Sequence, residues 1–263
     1  MIGLFWNCRG TGSKALPGLI KEIKKRYRVD FLALFETKCG GPKATRRCQK
    51  LGFDKFDTVD AIGYRGGLWF AWNEGKFSAT IIKKADQYIH VLAKNGDEKI
   101  YITYVYASPN INIRRQLWTE LAELRMNDDL PWILGGDFNV TLFYHEPRSN
   151  AVHTSPPDKD FISWFEELEL NDLGCNGPFY TWKSHNCESR IDRCVTNDRF
   201  KEAYRDASVR HLPWFHSDHR PILLSTSFAQ PESKISRPFR IMASWVLHED
   251  FSRLVGDSWT PEA

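Results

Sequence analysis

The sequence predicts an α+β fold: a four-layer α/β/β/α sandwich in which two mixed, largely antiparallel β-sheets pack face to face and helices cover the outer faces. Apolar runs of strand length outnumber segments with helical periodicity. Strong turn signals alternate with helical crossovers along the chain. The 263 residues, of which 42% are hydrophobic, are enough to bury a full core. We therefore expect one large domain, spanning residues 1–226.

The predicted elements follow from local patterns in chain order. Strands are expected at Ile2–Trp6, Phe31–Phe35, Gly66–Trp72, Phe77–Ile82, Ile89–Ala93, Ile100–Tyr106, Trp132–Leu134, Tyr180–Trp182, Arg190–Val195 and Ile222–Ser225. Helices are expected where apolar residues recur at helical spacing, around Leu16–Tyr27, Leu117–Leu124 and Phe161–Leu168. Pro17 favours a helix start, and Asn95-Gly96 is a strong hairpin signal.

The composition after Ser225 shifts to Pro, Ser, Gln and Lys, which predicts that residues 227–263 are a linker segment too short for a domain. The net charge of +3 is too weak to indicate nucleic acid, so any basic footprint must be local. The six cysteines lack metal-binding spacing and are expected to be free thiols. With no signal peptide and no membrane-length apolar run, we expect an intracellular protein.

Small polar or acidic residues follow, or closely border, the apolar strands. They are Asn7, Glu36, Asp137, Asn139, Asp192, Asp218 and His219. In a packed sandwich such positions gather at one rim. Oxygen ligands, few of them from the protein, are the pattern of Mg²⁺, with Mn²⁺ as the alternative. The remaining Asp and His residues can handle protons and stabilise an oxyanion.

Taken singly, these residues have ordinary structural interpretations. Asn7 alone is a common turn residue, and Glu36 alone is a common solvated strand end. Gly135–Asn139 is more specific, because two glycines allow close backbone approach beside an acid and an amide. Ser217-Asp218-His219 is also specific, but three consecutive residues cannot form a Ser–His–Asp relay. The sequence also contains no G-x-S-x-G elbow.

Six motifs in order carry a resemblance over roughly residues 1–226. They are Trp6-Asn7-Cys8-Arg9-Gly10, Glu36-Thr37-Lys38, Tyr106-Ala107-Ser108-Pro109, Gly136-Asp137-Phe138-Asn139, Arg190-Ile191-Asp192-Arg193 and Ser217-Asp218-His219-Arg220-Pro221. Together they resemble the endonuclease/exonuclease/phosphatase superfamily. The Asn-Cys-Arg-Gly and Glu-Thr-Lys variants resemble the apurinic-endonuclease-like endonuclease domain of plant LINE-type (non-LTR) retrotransposons. Pro238–Trp259 resembles the segment that leads to the reverse transcriptase in those elements.

The resemblance implies a metal centre and its support. Glu36 would be the principal Mg²⁺ ligand, with Asn7 and Asp218 near the metal, directly or through water. Thr181 and Ser217 would be supporting groups or phosphate contacts. Apurinic endonucleases of the superfamily carry an Asp where this chain has Arg9, which argues against abasic-site specificity.

The same resemblance assigns the reacting groups. Asp137 would activate or position the attacking water, and Asn139 would hold that water or the phosphate. His219 would contact the phosphate, with Asp192 keeping its imidazole oriented and protonated. Tyr106 would donate a hydrogen bond to the phosphate. Hydrolysis would leave a 3′-hydroxyl and a 5′-phosphate, and the 3′-hydroxyl would prime reverse transcription.

The implied partner is double-stranded DNA, read by a hairpin over Thr181–Asp192. Its candidate DNA contacts are Lys183, Ser184, His185, Asn186 and Arg190. An ordinary surface hairpin is the alternative. Arg114 and Arg115 are further candidates, whereas the Lys21–Arg28 run favours a solvated helix face.

Other polar residues are expected to have structural or surface roles. Asp172 is interpreted as structural, and His145, His153, His185 and His216 as surface histidines. A further expectation is a monomer that acts in the nucleus, without a membrane, beside the reverse transcriptase domain of the same polyprotein. The alternatives are a phosphatase or phosphodiesterase acting on inositol phosphates or sphingomyelin, and an inactive DNA-binding remnant.

Overall fold

The structure, a computed structural model, describes residues 1–125, 130–149, 156–227 and 251. The predicted linker segment, residues 227–263, therefore lies outside the described residues apart from two positions. Met1–Phe228 form one compact unit. Its strands are β1 (Ile2–Asn7), β2 (Phe31–Phe35), β3 (Lys55–Val59), β4 (Leu68–Trp72), β5 (Ser78–Ala85), β6 (Tyr88–Asn95), β7 (Glu98–Tyr106), β8 (Trp132–Asp137), β9 (Pro147–Ser149), β10 (Asn171–Asp172), β11 (Trp182–Ser184), β12 (Cys187–Ser189), β13 (Asp192–Thr196), β14 (Ser208–His211) and β15 (Ile222–Ser225). Its helices are α1 (Leu16–Tyr27), α2 (Gly41–Cys48), α3 (Ile111–Glu123), α4 (Lys159–Glu167) and α5 (Asp198–Ala203).

The strands form two six-stranded sheets and one small sheet. The first sheet has the order β14-β15-β1-β2-β4-β3, the second β10-β13-β8-β7-β6-β5, and the small sheet β11-β12-β9. Only β1–β2 and β7–β8 pair in parallel among these described strands, so both large sheets are mixed. The predicted sandwich of two packed mixed sheets is confirmed, including the hairpin that turns at Asn95-Gly96.

Three apolar clusters separate the layers. Aromatic rings fill the space between the sheets, where Phe5 and Tyr104 of opposite sheets have centroids 5.8 Å apart. The other face of the first sheet packs on α1 and α2, and the other face of the second sheet packs on α3 and α4. Strand β1 shows why its sequence is continuously apolar: Phe5 points between the sheets while Leu4 and Trp6 face the helices.

Several short elements were missed by the sequence patterns. Helix α2 buries only Ala44 and Cys48 and has no clear apolar stripe. Strand β3 is a half-exposed edge strand, and β9, β10 and β12 have only two or three residues each. Strand β4 begins two residues later than predicted, because Gly66 and Gly67 adopt left-handed backbone angles. Helix α5 and strand β14 are also short and were not predicted.

The sheet register brings the ends of the central strands to one rim. In the first sheet, β1 and β2 run parallel and end together, with Asn7 beside Phe35. In the second, β7 and β8 run parallel and place Tyr106 beside Asp137. Antiparallel β13 begins there, with Asp192 opposite Asp137. This edge of the sandwich thus collects the polar residues that the sequence places at strand ends.

Two further expectations concern the rest of the unit. All six cysteines are free thiols, as predicted, and four of them are buried. Within the described ranges, no helix has the length and apolar content needed to span a membrane.

Candidate active site

Asn7 links the two sheets at the rim. Its side-chain amide donates to Glu36 Oε1 at 3.3 Å and to Asp137 Oδ2 at 2.9 Å. The Tyr106 hydroxyl donates to the same Glu36 oxygen at 3.0 Å. Asn7 and Asp137 are fully buried. The metal-ligand candidates predicted on the first sheet therefore touch the catalytic candidates predicted on the second.

The Gly-Gly-Asp-Phe-Asn turn fixes the Asp137 carboxylate. Gly136 has a φ of 144°, and a Cβ there would lie 2.0 Å from the Val105 carbonyl oxygen, so only glycine fits. Asn139, with a φ of 53°, donates from its backbone and side-chain nitrogens to Asp137, at 2.9 and 3.2 Å. Burial raises the pKa of Asp137, and the positive charge of His219 only partly offsets this rise.

His219 lies between two buried carboxylates. Its Nδ1 donates to Asp192 Oδ2 at 3.0 Å, and its Nε2 lies 3.8 Å from Asp137 Oδ2. Burial lowers the pKa of His219, but the charges of Asp192 and Asp137 and the hydrogen bond to Asp192 raise it more, to about 9. At neutral pH the imidazole is therefore a fixed cation with Nε2–H facing the rim.

Thr181 and Ser217 hold the backbone beneath these groups. The Thr181 hydroxyl accepts from the backbone N–H groups of Ile191 and Asp192, at 3.1 and 3.0 Å. The Ser217 hydroxyl accepts from the His219 backbone N–H at 3.1 Å and donates to the Asn7 carbonyl at 2.7 Å. Both hydroxyls therefore contact the site through backbone groups.

Glu36 and Asp218 form the outer, partly exposed side of the site. Burial raises the pKa of Glu36, but hydrogen bonds from Asn7 and Tyr106 and the charges of Lys38 and Arg9 lower it further, so the net pKa lies below its usual value. Arg9 donates to Asp218 Oδ2 at 2.7 Å, and Lys38 lies 3.3 Å from Glu36 Oε2. Glu36 is thus ionised and faces the open edge.

Three residues of this outer side contact Glu36 or Asp218, although the sequence patterns assign them no such contact. Arg9 and Lys38 lie inside the quoted motifs, yet motif membership alone does not show that their charges meet Glu36. The indole N–H of Trp182 donates to Asp218 Oδ2 at 3.2 Å. In the sequence, Trp182 belongs to the predicted hairpin over Thr181–Asp192, which does not by itself indicate this contact.

The donor set fits a divalent cation. The Arg9 guanidinium already lies between Glu36 and Asp218, which shows that these two carboxylates accommodate one cation together. Carboxylate and amide oxygens are the ligands that Mg²⁺ prefers. A second group, Asp137, Asp192 and His219, has ligand atoms within 4.8 Å of one another and could hold a metal. His219 Nδ1 already bonds to Asp192 Oδ2 at 3.0 Å, so the imidazole could offer only Nε2 to a metal there.

The predicted hairpin is present and is attached to the site. Strands β11 and β12 pair over Trp182–Ser189, with Lys183, His185 and Asn186 exposed and Ser184 half-buried. The Lys183 backbone N–H donates to the Asp218 carbonyl at 3.0 Å. Trp182 also bridges to His219 by backbone pairing.

Two of the predicted DNA contacts are wrong. Arg190 is 4% exposed and its guanidinium bonds to Glu146 and Asp172, at 2.7–2.8 Å. Arg114 is 7% exposed and bonds to Asp158 at 2.7 Å. Both guanidiniums are neutralised inside the protein, so neither can reach a phosphate. Arg115 is exposed and pairs with Asp160 at 2.6 Å.

The residues expected to be structural or at the surface mostly follow that expectation. Asp172 pairs with Arg190 and Arg193, as a structural residue does. His145, His185 and His216 are exposed, whereas His153 lies outside the described residues. Lys21, Lys25 and Arg26 of α1 are exposed, whereas Lys24 is half-buried and donates to the Asn73 side chain at 2.7 Å.

The fold resembles solved structures of several nucleic-acid enzymes. The AP endonuclease LMAP from Leishmania major has a TM-score of 0.64 and 14% identity, over 85% of this chain and 86% of that one. The 3′-5′ exonuclease NExo from Neisseria meningitidis has a TM-score of 0.63 and 19% identity, over 86% of this chain and 100% of that one. The endonuclease domain of TRAS1, a telomere-specific non-LTR retrotransposon, has a TM-score of 0.63 and 15% identity, over 85% of this chain and 96% of that one.

At these identities the likeness establishes the fold alone. No curated protein sequence matches the chain. The family model described as "Endonuclease/Exonuclease/phosphatase family" matches residues 4–219, which include all of the rim residues from Asn7 to His219. The chain therefore belongs to the endonuclease/exonuclease/phosphatase family.

Proposed function

We propose that this chain is a Mg²⁺- or Mn²⁺-dependent endonuclease that nicks double-stranded DNA by hydrolysing a phosphodiester bond. The observation that carries the proposal is His219, held as a cation at the rim by Asp192 on one side and facing Asp137 on the other. A fixed cation beside a buried carboxylate suits a reaction in which water attacks an anionic ester and negative charge builds up on it.

Asp137 is the proton acceptor in this proposal. Its raised pKa brings it nearer to neutral pH than an ordinary carboxyl group, which improves a general base. Asn7 and Asn139 hold its two oxygens, so the carboxylate keeps one orientation as water approaches. The proton of the attacking water passes to Asp137, the water oxygen forms the new bond to phosphorus, and the bond between phosphorus and the 3′ oxygen breaks. The leaving 3′ oxygen takes a proton from solvent and becomes the 3′-hydroxyl, while the new oxygen stays on the 5′-phosphate.

His219 stabilises the charge that develops on the phosphate. Its Nε2–H points to the rim, and the hydrogen bond to Asp192 prevents the ring from rotating away. Burial and the carboxylates raise the pKa of the Tyr106 phenol, so it stays a hydrogen-bond donor beside Glu36. When bound at Glu36, Asn7 and Asp218, the divalent cation would polarise a phosphoryl oxygen and stabilise the leaving oxygen.

The finer assignment is to a LINE-type retrotransposon, whose nick would leave a 3′-hydroxyl that primes reverse transcription. It is supported by the Asn-Cys-Arg-Gly and Glu-Thr-Lys variants and by the hairpin over Trp182–Ser189 beside the site. In this proposal the chain acts as a monomer on nuclear DNA, alongside a reverse transcriptase domain of the same polyprotein.

A supercoiled-plasmid assay tests the proposal. We expect conversion to open circles in Mg²⁺, none in EDTA, and extension of the nicked strand by a DNA polymerase, which requires a 3′-hydroxyl. Hydrolysis of inositol phosphates or sphingomyelin without nicking would instead identify a phosphatase of the same family. Folded protein that binds DNA without hydrolysing it would identify a DNA-binding remnant.

The pH dependence of nicking follows from the two shifted groups. We expect a bell-shaped profile for kcat/KM. The rate falls on the alkaline side near pH 9, where His219 loses its proton, and on the acid side above the usual carboxyl range, where Asp137 gains one. Initial rates across a buffer series at constant ionic strength would measure it. A rate that stays flat through pH 9.5 would contradict a requirement for a His219 proton that is lost near pH 9.

The hairpin is expected to influence where the DNA is cut. Replacing the exposed Lys183, His185 and Asn186 together with alanine should redistribute cleavage sites while changing the overall nicking rate by less than about tenfold, because none of the three touches the reacting groups. Sequencing-gel patterns on a long labelled duplex would reveal the change. An identical pattern would assign the hairpin a purely structural role.

A further inference from the structure

Arg9 lies where a divalent cation is expected. Its Nη1 is 2.7 Å from Asp218 Oδ2, and its Nε is 3.7 Å from Glu36 Oε2. These carboxylates are two of the proposed metal ligands. A guanidinium is always charged in proteins, so the carboxylates are partly neutralised before any metal arrives. Arg9 in this position and a metal bound to both carboxylates exclude each other.

The backbone at Arg9 is fixed but its side chain is free to turn. Arg9 has a φ of 49°, and its backbone N–H donates to Asn7 Oδ1 at 3.1 Å. The side chain is 46% exposed, compared with 16% for Glu36 and 28% for Asp218. The guanidinium can therefore leave the carboxylates by rotation about side-chain bonds, without any change in the rim.

A basic groove adjoins the carboxylates on the side of Arg9. It has a volume of about 490 Å³ and is lined by Arg9, Lys38, Lys43, Arg47 and His216, together with the loop that follows β1. The described residues that line it include no aspartate or glutamate. A concave surface with charges of one sign concentrates anions, and a polynucleotide backbone is the anion that the proposed function supplies.

We propose that Arg9 is an exchangeable counter-ion: it bridges Glu36 and Asp218 in the DNA-free protein, and it turns to a phosphate when a DNA backbone enters the basic groove. The turn leaves both carboxylates open to the divalent cation. The DNA part of this inference rests on the proposed function, whereas the bridging role of Arg9 does not. No covalent bond is made or broken in the exchange; the two ion pairs of Arg9 with Glu36 and Asp218 give way to an ion pair of Arg9 with a phosphate and to contacts of both carboxylates with the divalent cation.

The exchange couples the two ligands thermodynamically. DNA draws Arg9 away and so strengthens metal binding, and the metal in turn releases Arg9 and strengthens DNA binding by the same factor. The exchange would keep the affinity of Glu36 and Asp218 for the divalent cation low until DNA is present. Lys38, 3.3 Å from Glu36, remains beside that carboxylate in both states in this proposal.

The bridging role is tested with Mn²⁺ alone, by measuring free Mn²⁺ with electron paramagnetic resonance during titration of DNA-free protein. Arg9→Gln should bind Mn²⁺ about tenfold more tightly than the unmodified protein. Arg9→Lys keeps the positive charge but lacks the several N–H donors of a guanidinium. Its Mn²⁺ affinity should lie between those of Arg9→Gln and the unmodified protein. Lys43→Gln, which removes an exposed cation of the same groove, should leave Mn²⁺ affinity unchanged. Equal or weaker Mn²⁺ binding by Arg9→Gln would overturn the proposal.

The exchange is tested by repeating the Mn²⁺ titration with a short DNA duplex, in chains that also carry His219→Ala to prevent cleavage. DNA should tighten Mn²⁺ binding, and Arg9→Gln should reduce that enhancement about fivefold or more. Lys43→Gln should weaken DNA binding yet preserve the enhancement. An enhancement of equal size with and without Arg9 would refute the exchange. Failure of the proposed function would be recognised separately, because the unmodified protein would then not nick DNA.

Discussion

His219→Ala is expected to lower the nicking rate by about 10²–10³-fold, below detection in a plasmid assay. The substitution removes the cation that faces the reacting phosphate, and it leaves Asp192 without the imidazole that it orients. It also removes the positive charge that helps to keep Asp137 ionised. The pKa of Asp137 then rises further, so the proposed base is protonated at neutral pH.

The protein should remain folded, although less stable. Two buried carboxylates lose their partner, but Asp137 can take up a proton, which limits the cost of leaving it buried. The hydrogen bonds that hold Asp137 from Asn7 and Asn139 do not involve the His219 side chain. Circular dichroism would show that the variant is folded, and a melting curve would show that the nicking assay is run well below its unfolding temperature. The loss of nicking would then report chemistry and not unfolding.

His145→Ala is the matched control, because His145 is an exposed histidine that belongs neither to the rim nor to the basic groove. It should nick within about twofold of the unmodified protein, since surface substitutions rarely have large effects. His219→Gln provides a second test that retains a hydrogen-bond donor and most of the volume. Near-normal nicking by both His219 variants, with normal circular dichroism, would remove His219 from the mechanism.

The central strands of the sheets were predictable because both of their faces are buried. Strands such as β1 and β2 are uniformly apolar for that reason, and their ends are marked by Asn7 and Glu36. Helix α2 and strand β3 were not predictable from periodicity, because one buries two small residues and the other lies at an exposed edge. Their positions follow from tertiary contacts that a local pattern does not contain.

The polar rim was predictable only as a set of strand ends. The sequence places Asp137 and His219 after separate strands, and the sheet register brings them within 3.8 Å of each other. The prediction of DNA contacts from charge alone was wrong at Arg190 and Arg114, because a basic residue in a hairpin or helix can equally well neutralise a buried acid. The bridging position of Arg9 depends on side-chain geometry, which the motif does not specify.

Glu146→Ala is expected to destabilise the protein by about 3–5 kcal/mol, the typical cost of breaking a buried ion pair. Glu146 is fully buried and accepts from Arg190 at 2.8 Å and from Arg193 at 2.8 and 2.9 Å. It also accepts from the backbone N–H groups of Leu142 and Phe143. Without it, two buried guanidiniums share Asp172 alone, and the loop that follows Asn139 loses its anchor.

Urea unfolding at several pH values separates this loss from simple cavity formation. Burial raises the pKa of Glu146, but the hydrogen bond and charge of Arg193 lower it further, so the folded-state pKa lies below the usual value. Stability from a depressed carboxyl pKa is present above the unfolded-state pKa and is lost as pH falls through the folded-state pKa. The difference between Glu146→Ala and the unmodified protein should therefore shrink in acid.

Glu169→Ala is the control, because Glu169 is 79% exposed and pairs with Arg125 at 3.4 Å at the surface. Its unfolding free energy should change by less than about 1 kcal/mol. A similarly small change in Glu146→Ala would mean that Asp172 alone neutralises both arginines. The expected large change would instead indicate that the ion pairs of Glu146 with Arg190 and Arg193 support the start of β13, because these two arginines flank Asp192 in the sequence. Partial loss of nicking in a folded Glu146→Gln variant would then measure how far the position of Asp192 depends on that support.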